Sequence, residues 1–155
     1  MASKISKKWL EDMSKGMGRE LEAVTLQGLE INLVQKGLVR CTFLVPQDLS
    51  DKDGKWDSGA MAVLVDDVAA CTVGTSAFVK ASVDFHLSFY SPATIHEKVE
   101  IEGKIVGEKG RLVSVMVEIK KKDNAELVAV GRVWMTTDNI NRYPDAQNTT
   151  TPSKL

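Results

Sequence analysis

The chain has 155 residues, 43% apolar and 26% charged, with a formal net charge of −1. That length suits one domain with a buried core. The near-balance of charge leaves no general case for nucleic acid or an anionic membrane as partner. Cys41 and Cys71 are the only cysteines, each inside an apolar run. They read as buried, reduced thiols rather than as a disulfide or a metal pair. No secretory signal, transit peptide or membrane span is read in the sequence.

Residues 4–17 have helical spacing. Ile5, Trp9, Met13 and Met17 recur every four positions and predict one apolar stripe that packs on the rest of the protein. Gly16 and Gly18 predict its end. From residue 26 the period becomes two. Leu29, Ile31 and Leu33 alternate with Glu30 and Asn32, Lys36-Gly37 marks a turn, and Leu38 to Val45 returns with Val39, Cys41, Phe43 and Val45 on one face. Residues 47–55 are polar and predict a surface loop.

From Gly59 to Val73 the chain is apolar on every side, apart from Asp66, Asp67 and a Thr. A helix of that kind is buried, so it is read as the central helix of the domain, with Asp57 or Ser58 as its N-cap. After Gly74 the period returns to two. Ala81–Tyr90 sets Val83, Phe85, Leu87 and Phe89 against Ser82, Asp84, His86 and Ser88. Glu97–Val106 alternates, and residues 107–110 predict a hairpin turn. Arg111–Lys122 and Glu126–Thr137 form the next hairpin around Asp123-Asn124. Residues 139–155 are polar and predict a flexible tail beyond a domain of residues 1–138. Helix, two strands, long helix and four strands make an α+β domain, an antiparallel sheet of about six strands wrapped round the central helix.

The central helix carries two candidate elements. Its start, Ser58-Gly59-Ala60, predicts free backbone N–H groups suited to an oxyanion; the plainer reading is a capped helix end. Asp66 is a base or nucleophile in an apolar setting; the plainer reading is a carboxylate turned to solvent or bonded to backbone. Asp66 lies seven residues past Gly59, ~10 Å along the helix, whereas a reacting atom needs both groups within ~3 Å. If both serve one site, two chains must contribute, and a two-fold dimer would carry two such sites. Ser82, Asp84 and His86 do not make a hydrolase triad, because alternate strand residues stand ~6.6 Å apart. His96 is read as exposed. No spacing suggests a metal site, and no Gly-rich phosphate loop is present. Lys109, Arg111 and Arg132 are either phosphate contacts or solvated charge.

With these residues in hand, the chain resembles a family. The element order looks like the hotdog fold. Trp56-Asp-Ser-Gly-Ala-Met-Ala-Val-Leu-Val-Asp-Asp67 resembles the helix of small PaaI-like acyl-CoA thioesterases, whose pattern is Leu-His-Gly-Gly, an apolar run and Asp. Ser82-Val-Asp-Phe-His-Leu-Ser-Phe-Tyr-Ser-Pro-Ala93 resembles that family's next strand, and Gly131-Arg132 its last. The similarity runs from about Lys4 to Thr137, nearest the thioesterase superfamily member 2 (acyl-CoA thioesterase 13) group.

The resemblance implies hydrolysis of acyl-CoA to free acid and CoA. It implies that Asp66 is the catalytic carboxylate and that Ser82 positions water. It also implies that Gly59, with Ser58, is the helix start whose N–H binds the thioester oxygen from the other subunit. Phe89, Tyr90, Ser91, Pro92, Ala93 and Thr94 match one segment near CoA. Gly107, Glu108, Lys109, Gly110, Arg111 and Leu112 match another, and Thr136 a further position. It implies dimers, often paired into tetramers, and no cofactor, CoA being part of the substrate. Asp57 and Ser58 replace the family's His-Gly, and Asp51 its Asn; a carboxylate near a developing oxyanion would repel it unless protonated or turned away, and Asp57 is read as merely capping the helix. Ser153-Lys154-Leu155 reads as a peroxisomal address for an import receptor. The expectation is a peroxisomal acyl-CoA thioesterase. The alternative is a non-catalytic acyl-CoA-binding protein, and a hotdog dehydratase is disfavoured by the missing His.

Overall fold

A computed structural model describes residues 1–18 and 20–138. The predicted tail and Ser153-Lys154-Leu155 lie outside the described residues. Helices α1 (Ala2–Ser14) and α2 (Glu20–Leu26) lead into strands β1 (Glu30–Gln35) and β2 (Leu38–Leu44). The long helix α3 (Ser58–Gly74) follows, then β3 (Val79–Phe89), β4 (Lys98–Lys109), β5 (Leu112–Lys121) and β6 (Leu127–Thr137). The strands form one antiparallel sheet in the order β1-β2-β4-β5-β6-β3, with β1 and β3 at its edges. No helix among the described residues is long and apolar enough to cross a membrane.

The sheet curls round α3, which packs on β2, β3, β4, β5 and β6. The apolar perimeter of α3 is what demands this cover: Leu64, Val65, Val68, Ala69 and Val73 are fully buried. The predicted inner face of β2 is likewise buried, Val39, Cys41, Phe43 and Val45 together. Two glycines let helix and sheet approach closely. A Cβ at Gly103 on β4 would strike Thr72, and one at Gly131 on β6 would strike Val65.

Four expectations are corrected. The buried line of α1 is Ala2, Ser6, Leu10 and Met13, while Ile5 and Met17 are 56% and 54% exposed. Small residues at 2 and 6 allow α1 to lie close on α3, where Ser6 meets Gly74 and accepts the Cys71 thiol. Helix α2 was not expected; it is seven residues long and buries only Thr25 and Leu26. The turn expected at residues 107–110 is not there. Strand β4 runs on to Lys109 through a bulge between Ile105 and Gly107, and the turn is Gly110-Arg111, with Gly110 at φ +61°. Finally, the alternation along β3 is broken. The register slips between Ser82 and Asp84, so Ser82 pairs with the buried Met135 and Phe85 with the buried Val133. Ser82 and Phe85 therefore share the inner face, where strict alternation would separate them.

Candidate active site

That bulge brings Ser82 to α3. Its hydroxyl donates to Asp66 Oδ1 at 2.7 Å. Asp66 is half-buried on α3, and Ser82 is exposed on the edge strand β3. Thr136 stands at the same end of β3: it pairs with Ala81 on one side and Leu112 on the other, and its hydroxyl donates to Ala81 O. The Gly110-Arg111 turn closes this end, with Arg111 O accepting from Thr137 N–H. Glu108, Lys109, Gly110, Arg111 and Leu112 are exposed there, and Gly107 is half-buried at the bulge.

The start of α3 belongs to a second cluster. Asp57 caps the helix, its Oδ1 accepting from Gly59 N–H at 2.9 Å and Ala60 N–H at 3.0 Å. Two of the three N–H groups expected to be free are thus engaged, because the cap residue supplies the nearest acceptor. The Ser58 N–H has no partner among the described residues. Asp51 braces the preceding loop, accepting from Asp53 N–H and Lys55 N–H, each at 2.9 Å. Trp56 N–H donates to Ala93 O, which ties this loop to the segment after β3. Asp51, Asp57 and Ser58 thereby meet Phe89, Tyr90 and Ser91 round an open cavity of about 380 Å³ that Pro92 and Ala93 complete. Thr94 turns aside, its N–H and hydroxyl both donating to Glu97 Oε2.

The two clusters do not meet within one chain. Ser82 and Phe89 are seven residues apart on β3, roughly 23 Å, and Ser58 and Asp66 are roughly 12 Å apart on α3. Asp84 and His86 form an exposed pair at 3.4 Å on the outer face, while Ser82 points inward to Asp66, so no triad forms. His96 is exposed, with φ at +67°.

Of the adjacent carboxylates on α3, Asp67 rather than Asp66 is the buried one. It is 8% exposed, its Oδ2 has no partner, and its carboxyl is raised from 3.8 to about 7. Burial is the main cause, followed by the charges of Glu22 and Asp66. The signal that could have marked it is its position: on a helix that is apolar all round, one of two adjacent carboxylates must turn inward.

Similarity to known proteins agrees with this architecture. The sequence pattern of the thioesterase superfamily matches residues 58–128. The chain is 31% identical over 121 residues to acyl-coenzyme A thioesterase 13 of Mus musculus, across 76% of this chain and 81% of that one. This chain therefore belongs to the thioesterase superfamily, thioester hydrolases with the hotdog fold. Among solved structures, zebrafish thioesterase superfamily member 2 superposes with a TM-score of 0.76 at 22% identity, covering 88% of this chain and 99% of that chain. A Streptococcus mutans protein solved bound to acetyl-CoA gives 0.68 at 16% identity, covering 72% and 89%. These two show likeness of fold.

Proposed function

We propose that this chain hydrolyses acyl-CoA thioesters in sites that two subunits complete. The observation that carries the reading is the hydrogen bond from Ser82 to Asp66, half-buried on α3 beside an edge strand that pairs only with β6 among the described residues. Strand β3 exposes Val83, Phe85 and Phe89 at 55%, 37% and 53%. A long edge with apolar side chains is a template for pairing. Antiparallel pairing of β3 with its copy about a two-fold axis would carry Ser82 of one subunit toward the Phe89 end of the other. Asp66 and Ser82 would then meet the partner subunit's helix start, together with its segment after β3.

In that arrangement Asp66, acting as general base, takes a proton from a water held by Ser82. The water oxygen bonds to the thioester carbonyl carbon, and the carbonyl oxygen gains the negative charge. The donor that remains free for that charge is the N–H of Ser58, since Asp57 holds those of Gly59 and Ala60. The tetrahedral intermediate collapses, the C–S bond breaks, and the CoA thiolate leaves and is protonated. Lys109 and Arg111, exposed at the turn near Thr136, suit the phosphates of CoA.

One observation favours a second reading, an acyl-CoA-binding protein without turnover: the Asp57 carboxylate sits where the oxyanion would be stabilised. Release of free thiol from acyl-CoA, by wild type and by Asp66→Ala, separates the two. The proposal expects turnover that falls at least about a hundredfold in the variant. Turnover indifferent to Asp66 would remove the mechanism, and binding without turnover would establish the second reading. In Asp57→Asn, a several-fold gain in turnover would mean that Asp57 repels the oxyanion rather than merely capping the helix.

A further inference from the structure

The segment that joins β3 to β4, residues 90–97, forms one side of the cavity at the start of α3 through Tyr90, Ser91, Pro92 and Ala93. Apart from one bridge between Thr94 and Lys55, it belongs to no helix or strand, so its place depends on its ties. Toward α3 the ties are backbone bonds. Trp56 N–H donates to Ala93 O at 2.8 Å, and Ile95 N–H donates to Gly54 O at 2.9 Å.

On the other side the ties run through side chains. Thr94 gives its N–H and its hydroxyl to Glu97 Oε2, at 2.6 and 3.1 Å, and Glu97 N–H donates back to Thr94 O at 2.9 Å. The second oxygen of Glu97 meets Lys121 Nζ, at the end of β5, at 3.4 Å. The same ammonium meets Glu126 Oε2 at 3.0 Å. Glu126 directly precedes β6, whose first residue, Leu127, accepts the Ser91 hydroxyl at 2.7 Å. One lysine thus joins the two places that hold Ser91 and Thr94.

Exposed ion pairs contribute little, because water screens them and long side chains lose freedom. This cluster is better placed. The Lys121 side chain is 17% exposed and shared by two carboxylates, one of which also accepts a charge-assisted bond from backbone. Lys121 is held above the ordinary lysine value, first by its bond to Glu126, and Glu97 below the ordinary carboxylate value, first by the Thr94 N–H. Without the ammonium, Glu97 and Glu126 would repel, and Glu97 would turn from Thr94 toward water.

We infer that Lys121 is a positioning residue for the acyl-CoA site: acting through Glu97 and Glu126, it sets the place of residues 91–93 opposite the helix start at Ser58. This rests on the acyl-CoA reading above. Lys121 itself lies outside the cavity lining. Asp66 and Ser82 of the same chain also stand outside this cavity. The segment therefore serves the bound substrate and the transition state alike, and its displacement raises KM rather than lowering kcat.

The test uses the full chain. Hydrolysis of octanoyl-CoA gives KM and kcat, and calorimetry with the non-hydrolysable thioether analogue of octanoyl-CoA gives Kd. Lys121→Met keeps the length and removes the charge; it should raise KM and Kd about three- to tenfold, with kcat within about twofold of the wild type. Lys121→Arg keeps the charge and should restore most of the loss. Adding Glu126→Gln to Lys121→Met should recover part of it, because Glu97 is then no longer repelled; a loss of packing alone would not be recovered. Where Lys121→Met does not fold, Glu97→Gln, which keeps an oxygen for Thr94, carries the test with a rise of about two- to threefold. Unchanged KM and Kd in these variants, a loss that Lys121→Arg does not restore, or a fall in kcat at unchanged KM would overturn the assignment. Affinity that follows the charge at residue 121 without any hydrolysis would sink the proposed reaction and leave the role of Lys121 standing; hydrolysis with a KM indifferent to Lys121 would do the reverse.

Discussion

Replacing Asp67 with Asn should change how stability depends on pH. Asp67 is buried on α3 with one unpartnered oxygen, and its carboxyl rises from 3.8 to about 7. The folded value exceeds the unfolded one, so between them the folded state holds a proton that the unfolded state has lost. The stability linked to this group is complete below about pH 4 and falls as pH rises toward about 7. The gap between the two values sets a ceiling of about 4 kcal/mol. Glu22, the second cause, is half-exposed and screened by water, so about 2 to 4 kcal/mol is the working range. Asn carries no charge at any pH, but its amide must also find a partner, at a fixed cost of about 1–3 kcal/mol. That fixed cost cancels when the difference between wild type and variant is followed across pH. Urea unfolding from about pH 4 to about pH 8, at constant protein concentration, measures it. The variant should gain on the wild type by about 2 to 4 kcal/mol over that range, and Glu22→Gln should reproduce part of the gain. Parallel curves for wild type and Asp67→Asn would refute the reasoning, because the carboxyl would then ionise in the fold as it does in water.

Three other outcomes follow from particular contacts. Gly131→Ala should lower stability by about 1–3 kcal/mol in thermal or urea unfolding, because the added Cβ meets Val65 on a helix with no room to retreat. Cys41 and Cys71, both pushed up to about 12 chiefly by burial, should resist alkylation near neutral pH in the folded protein and react fully once it unfolds. Ser82→Ala should lower turnover about ten- to a hundredfold by removing a hydrogen bond to the Asp66 carboxylate.

The central helix and the face of β2 were legible because burial there depends on one element's own pattern. Residues 59–73 are apolar all round, and Val39, Cys41, Phe43 and Val45 alternate without interruption. The cap at Asp57 was legible for the same reason, since an N-cap acts within three residues of itself. The face of α1 was not. Ile5 and Met17 are the more apolar side chains, yet Ala2 and Ser6 are the ones buried, with Ser6 against Gly74. There the shape of the neighbouring helix outweighs hydrophobicity, and a single chain segment does not contain that shape. Helix α2 carries no such pattern of its own, being under two turns long with Leu21 and Val24 exposed.

Ser82 is the sharpest case, because family likeness implies its role while strict alternation predicts the wrong orientation for it. Read with period two, it belongs with Asp84, His86 and Ser88 on the outer face, away from any carboxylate on α3. The bulge at Val83 places one extra residue of β3 between successive pairings with β6 and turns Ser82 inward. A bulge is a property of two strands in register, so nothing within residues 79–89 specifies it. The same irregularity leaves Val83 55% exposed and adds twist to the edge strand at the point where its hydroxyl must meet Asp66. Deletion of Val83 would remove the extra residue and leave Ser82 opposite Met135 and Asp84 opposite Trp134 in regular alternation. Ser82 would stay inward and its bond to Asp66 would be kept, so activity of the folded variant should stay well above that of Ser82→Ala. If the folded deletion variant fell as far as Ser82→Ala, the inward direction of Ser82 would not by itself carry the bond between strand and helix.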